Sequence, residues 1–179
     1  MADRQLAGRK VLLIVPQTQF REEEVFEPKR ILEREGASVV VASTQLRTCR
    51  GMREGTIECQ AAIGEVDPGE YDAVVLAGGS SVPEYFWKDK KLQDLVAAMA
   101  GKGKVVAAIS LSTVVLAKAR LLEGREATVY YLPEAIQELK NGGAKYVGRK
   151  LIVEGNLIMA EGPSTVGAFT TAVVSALAR

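Results

Sequence analysis

Four short apolar runs punctuate the chain: Lys10–Val15, Ser38–Ala42, Ala73–Ala77 and Val105–Ile109. Each is rich in Val, Ile or Ala, and three of them stop at turn chemistry: Pro16, Gly78-Gly79 and Ser110. Runs this short and this continuously apolar suit strands buried on both faces, as in a parallel sheet. Between them fall helical patterns at Glu22–Glu35, Leu92–Ala100 and Thr113–Leu121. Strands alternating with helices predict a doubly wound α/β fold with a mostly parallel sheet and helices on both faces. Further on, Ala127–Tyr131 is a candidate strand, and Pro133–Lys140 a helix with Pro in its first turn and Asn141-Gly142-Gly143 at its end. Lys150–Val153 and Leu157–Ala160 flank Glu154-Gly155-Asn156, a late β-hairpin signal. Pro163 and Ser164 open a last helix reaching Ala178. No repeat or linker interrupts the pattern, so residues 1–179 read as one domain.

Composition narrows the function classes. The 179 residues are 47% apolar and 25% charged, ordinary for a soluble globular protein. A net charge of +1 makes no electrostatic case for nucleic acid or a membrane surface. Arg47, Arg50 and Arg53 form a small basic cluster that reads as a solvated face. No apolar run approaches the roughly 20 residues of a membrane span. The polar stretch from Met1 to Lys10 lacks the apolar segment of a secretion signal, which points to a cytoplasmic protein. Cys49 and Cys59 flank a Gly-rich turn at Gly51 and Gly55, so a hairpin brings them near each other; in a cytosolic protein they read as two free thiols. With no histidine and two cysteines, no metal site is expected, and no cofactor motif is present. The lack of His, the two Asn and the many Glu, Lys and Arg suggest a hot habitat.

The candidate chemistry sits where strands end, the usual ligand edge of an open α/β sheet. In the acidic run Glu22-Glu23-Glu24, carboxylates could simply offset the helix dipole. Helical geometry separates them. Val25, Pro28, Ile31 and Leu32 make the apolar stripe, and at about 100° per residue Glu24 lies roughly 50° from its centre. Glu24 is thus the one carboxylate of the run aimed inward, where burial raises a pKa. Gly78-Gly79-Ser80-Ser81 follows a strand without the Gly-Lys-Ser/Thr ending of a phosphate loop. It is either a tight turn or a backbone approach to a ligand, with N–H groups available to an oxyanion. Ser110 stands at a strand-to-helix junction, where enzymes display nucleophiles. It is equally an N-cap residue, as is Ser112. A serine nucleophile needs a base, usually histidine, and the chain has none. Lys102, Lys104 and Lys118 show no spacing that brings an amine to the elbow. Ala108 and Ser112 occupy the glycine positions of the Gly-x-Ser-x-Gly elbow.

Several segments in order resemble the ThiJ/PfpI family. They are Phe20 to Pro28, Tyr71-Asp72-Ala73-Val74-Val75-Leu76-Ala77-Gly78-Gly79, Leu121 to Thr128, and Val153-Glu154-Gly155-Asn156-Leu157-Ile158-Met159-Ala160-Glu161-Gly162-Pro163. The resemblance runs from about Lys10 to the last helix. It implies a flavodoxin-like fold within the class I glutamine amidotransferase-like group, and a homodimer or larger homo-oligomer. The family's elbow normally reads Ala-Ile-Cys-His-Gly-Pro, with the cysteine hydrogen-bonded to an inward Glu. Here the same stretch reads Ala108-Ile109-Ser110-Leu111-Ser112-Thr113. By resemblance Ser110 takes the cysteine position, Leu111 the histidine position and Glu24 the inward Glu. Gly79 and the Leu111 N–H would be oxyanion donors. A thiol of pKa about 8.5 can be driven to thiolate by its surroundings, and a serine hydroxyl cannot. The expectation is a protein without the family's cysteine-dependent glyoxalase, deglycase or peptidase activity. It keeps a small polar pocket at Glu24, Gly78, Gly79, Ser110 and Leu111 for a small-molecule ligand or a partner. The alternative is a weak hydrolase or lyase using Ser110 with Glu24 as proton shuttle. A purely structural role, with the pocket filled by Leu111, is a third reading.

Overall fold

The four Val- and Ile-rich runs become the centre of one sheet. A computed structural model describes residues 4–179. Its first half runs β1 (Lys10–Ile14), β2 (Thr18–Phe20), α1 (Glu22–Arg34), β3 (Ser38–Ser43), β4 (Thr48–Gly51), β5 (Thr56–Glu58), β6 (Ala61–Ala62) and β7 (Ala73–Leu76). There follow α2 (Val82–Tyr85), α3 (Lys90–Gly101), β8 (Val105–Ile109), α4 (Thr113–Lys118), β9 (Glu126–Ala127) and α5 (Pro133–Asn141). The chain closes with β10 (Lys145–Tyr146), β11 (Leu151–Glu154), β12 (Leu157–Ala160) and α6 (Val166–Leu177). Seven strands make the main sheet in the order β11-β12-β8-β7-β1-β3-β6. All its pairings are parallel except the β11–β12 hairpin, which turns at Gly155-Asn156.

The strands alternate between two cores, which is why they read as continuously apolar. Leu12, Ile14, Val74, Leu76, Val106 and Ala108 face a layer built by α3, α4 and α5. Val11, Leu13, Val75, Ala107 and Ile109 face α1 and α6. Helix α3 buries Leu92, Leu95, Val96 and Met99, spaced by three and four, so one stripe meets the sheet. Asp89 caps that helix, its carboxylate accepting from the N–H groups of Lys91 and Leu92. On the other face Phe169, Val173 and Leu177 of α6 do the same. Full burial of a side chain such as Phe169 stabilises the fold by roughly 2–3 kcal/mol. Among the described residues no helix is long and apolar enough to cross a membrane.

Three expectations are corrected. The strand over Ala127–Tyr131 shrinks to β9, which pairs in parallel only with β10. Beyond it the polar groups are used elsewhere: Thr128 Oγ1 donates to the Arg149 carbonyl at 2.5 Å, and the Tyr130 N–H donates to the Ser110 carbonyl at 3.3 Å. The helix over Thr113–Leu121 stops at Lys118, because Arg120 turns into the left-handed region at φ 64°. The last helix opens with one 3-10 turn, Pro163–Thr165, before α6 begins. A second sheet, β2-β4-β5, went unpredicted. Its β4–β5 hairpin does turn at Gly51 to Gly55, but Cys49 faces Ile57 across it. Both cysteines are free and buried.

Candidate functional site

The site gathers at the carboxyl ends of β7 and β8, where the chain leaves the sheet at Gly78-Gly79 and Ser110. The three glutamates of α1 take three different places. Glu24 is fully buried beside Val25, while Glu22 and Glu23 are partly exposed. Glu22 Oε2 accepts from the N–H groups of Arg53 (2.7 Å) and Gly55 (3.2 Å), fastening the β4–β5 turn to α1. Burial pushes its carboxyl up, but those N–H groups and the Arg53 charge outweigh it and hold Glu22 below the ordinary value. Glu23 pairs with Arg53 at 2.8 Å. The other arginines of the basic cluster are also engaged: Arg50 with Glu54 at 2.8 Å, and Arg47 with Gln17 Oε1 at 3.1 Å.

Ser110 is the sharp point of the turn. Ile109 is still extended, Ser110 sits at φ 60°, and a 3-10 turn leads straight into α4. A non-glycine residue held there carries strain on the order of 1 kcal/mol or more. Neither serine caps the helix. The Ser110 hydroxyl donates to Glu24 Oε2, and the Ser112 hydroxyl donates to the Ala77 carbonyl at 2.6 Å. The capping alternative is therefore set aside in favour of side chains that tie β7, β8 and α1 together.

Burial raises the Glu24 carboxyl to about 7; the Ser110 hydrogen bond and the nearby Arg21 charge oppose the rise without cancelling it. Near neutral pH the group is divided between acid and carboxylate. Its second oxygen, Oε1, is buried with no hydrogen bond of ordinary geometry among the described residues, although the Gly78 N–H lies close enough to the carboxyl to favour its charged form. It faces Gly78, and this explains that glycine. A Cβ on Gly78 would lie 2.2 Å from Glu24 Oε1 and 2.7 Å from Ser110 Cβ. Gly79 is needed for a different reason. It adopts φ 146° and bridges to Phe20 of β2, so the turn lies against the β2 backbone.

Above Ser110 a cavity of about 290 Å³ opens to solvent. Arg21, Gly79, Ser80 and Ser110 form its polar wall, and Pro83, Leu111, Tyr130 and Leu132 its apolar wall. Leu111 does not fill the space. It lines the wall, and its carbonyl accepts from Trp87 Nε1 at 3.0 Å. The N–H groups of Gly79 and Leu111 have no acceptor among the described residues. The structure thus brings together all five residues singled out in the sequence: Glu24 and Gly78 beneath, Gly79, Ser110 and Leu111 along the cavity wall. It adds Arg21, Tyr130 and Leu132, which no spacing announces. Arg21 alone carried a signal, being a cation three residues before the inward carboxylate in sequence.

The cysteines stand apart. Neither lines this cavity. Burial pushes the Cys49 thiol up, and only the nearby Ser43 and Arg47 pull the other way. Both thiols are expected to resist iodoacetamide in the native state and to react fully once unfolded in guanidinium; rapid native labelling of either, read by mass spectrometry, would contradict their burial. Among the described residues no cluster of His, Cys, Asp or Glu is arranged to hold a metal.

Comparison with known proteins bears on this geometry. The chain is 44% identical over 172 residues to an uncharacterized protein of Methanocaldococcus jannaschii, covering 96% of this chain and 84% of that one. It is 32% identical to a deglycase of Pyrococcus abyssi, covering 93% and 98%. Among solved structures, a ThiJ/PfpI domain protein from Brachyspira murdochii superposes with a TM-score of 0.89 at 32% identity, covering 95% of this chain and 98% of that one. The model of the DJ-1/PfpI family matches residues 9–176. The chain belongs to the DJ-1/PfpI family.

Proposed function

We propose that this protein binds a small ligand in the cavity above Ser110 and lacks cysteine-dependent chemistry. The observation that carries the reading is the pairing at the elbow: a serine hydroxyl whose one basic partner is a buried carboxyl. A cysteine there would ionise within reach of neutral pH. A hydroxyl is a far weaker acid, and a carboxyl that titrates near 7 is a weak base toward it. No histidine exists in the chain to do better. A serine also cannot follow the thiol oxidation ladder. What persists is a receptor: two free N–H donors, a hydroxyl and an arginine beside an apolar wall. The same reading includes a cytoplasmic location and pairing of two copies, the latter read by analytical ultracentrifugation.

The test is turnover. Purified protein is offered methylglyoxal and a fluorogenic peptide, with Ser110→Ala alongside. The expected result is no turnover above buffer from either protein. Turnover that Ser110→Ala abolishes would overturn the proposal.

One feature favours a second reading, a weak hydrolase or lyase. The Ser110 proton is already directed at Glu24, and Gly79 and Leu111, whose N–H groups would serve an oxyanion, line the same cavity. Glu24 would then take the hydroxyl proton as Ser110 attacks and return it to the leaving group. A serine-directed phosphonate attached at Ser110, and lost in Glu24→Gln, would establish this reading in place of the first.

A further inference from the structure

The cavity's charge pattern points to the kind of ligand. Arg21 is half-buried at the start of α1 and lines the cavity. Its side chain makes no ion pair or hydrogen bond among the described residues, although other arginines near this end of the fold are engaged. Its backbone holds it in place: the N–H donates to the Gly78 carbonyl at 3.0 Å, and the carbonyl accepts from the Glu24 N–H at 3.0 Å. Gly79 and Leu111 line the same space, and neither N–H donates to an acceptor among the described residues. The wall is therefore donor-rich on one side, with a guanidinium suited to a planar two-oxygen acceptor. On the other side Pro83 and Leu132 are apolar.

Resting on the ligand-binding reading above, we propose that the cavity takes a small monocarboxylate. Its carboxylate lies between the Arg21 guanidinium and the Gly79 and Leu111 N–H groups, and its short apolar tail against Pro83 and Leu132. Three observations limit the choice. A volume of about 290 Å³ is at the small end for ligand sites, which selects a metabolite-sized acid. One cation supports one negative charge, and Glu24 beneath Ser110 disfavours a dianion such as phosphate. A neutral amide of the same shape would forgo the charge-assisted hydrogen bonds that a carboxylate makes with the guanidinium.

The experiment titrates butyrate, butyramide and inorganic phosphate into the full chain by calorimetry, and repeats butyrate with Arg21→Gln and Arg21→Lys. Circular dichroism confirms that both variants are folded. Butyrate is expected to bind the unaltered protein. Its affinity falls at least tenfold in Arg21→Gln and less in Arg21→Lys, which keeps the charge and loses the fork. Butyramide and phosphate bind at least tenfold more weakly than butyrate. Equal binding of butyramide overturns the carboxylate inference while leaving a ligand pocket. Equal binding of phosphate, an unchanged affinity in Arg21→Gln, or no binding of butyrate also overturns it. The turnover assay on methylglyoxal and peptide decides the parent reading separately.

Discussion

Gly79→Ala is expected to lower the unfolding free energy by about 4 kcal/mol, a loss seldom seen for one added methyl. At φ 146° an L-residue is strained wherever its side chain points. Here the added Cβ also meets backbone, 2.2 Å from the Gln19 carbonyl oxygen and 2.7 Å from Phe20 Cα. Neither atom can step aside cheaply. The Arg21 N–H donates to Gly78 O at 3.0 Å, the Ser80 N–H to Gln19 O at 3.1 Å, and the Ser81 hydroxyl to Thr18 O. Strain of roughly 1–3 kcal/mol and overpacking of a similar size add at this one position. With a slope of about 2 kcal/mol per molar urea, the midpoint should drop by about 2 M. Gly101→Ala is the control. It ends α3 with no atom within 4 Å of the added Cβ, so it should be neutral or stabilising by up to about 1 kcal/mol. A Gly79→Ala midpoint within 0.5 M of the unaltered protein, roughly 1 kcal/mol on that slope, would show that the β2 contact yields.

The second large effect is a dependence of stability on pH that Glu24→Gln removes. The folded carboxyl titrates at about 7, above its ordinary value of 4.5, because burial penalises the charged form. Between those values the folded state holds a proton that the unfolded chain releases, so stability falls as pH rises. The favourable contribution is complete below 4.5 and is lost as pH passes through about 7. Across that window the buried carboxyl costs the protein about 3 kcal/mol relative to a neutral side chain. Glutamine keeps the length and an acceptor for the Ser110 hydroxyl, and it carries no charge. Urea unfolding of both proteins from pH 4.5 to pH 8 should therefore show curves that diverge, with the variant gaining about 3 kcal/mol on the unaltered chain. A constant offset would place the Glu24 titration near that of an ordinary carboxylate. Any fixed cost of seating the amide against Gly78 shifts the variant equally at every pH and leaves the divergence intact.

What the sequence made legible follows from which interactions are local. Val39, Val74 and Val106 announce strands because both faces of each strand are covered, and that shows as unbroken apolarity. Glu24 declared itself through its angle to Val25, Pro28 and Leu32 on one helix. Ser110 did so through the abrupt change of period from strand to helix. The second sheet stayed hidden because Thr48-Cys49-Arg50-Gly51 is short and mixed in polarity, and because Glu22 helps to hold its turn from another element. Tyr130 was misplaced for a related reason. A Val-Tyr-Tyr run has strand character, yet its backbone answers to Ser110 rather than to a neighbouring strand. Gly78 was legible as a turn or a close approach, but the reason it must be glycine was not. It is a matter of empty space, visible only once Glu24 and Ser110 are seen to meet there.

The left-handed backbone at position 110 has a consequence for how this chain could change. The conformation is set by β8 arriving, α4 leaving and the Tyr130 N–H held on the Ser110 carbonyl. None of these depends on the oxygen of the side chain. Exchanging that oxygen for sulfur, Ser110→Cys, is thus a one-atom edit on a preformed support, with the inward carboxyl already in place beneath it. In evolutionary terms the serine and cysteine forms are close neighbours: the backbone that supports position 110 serves either side chain without refolding.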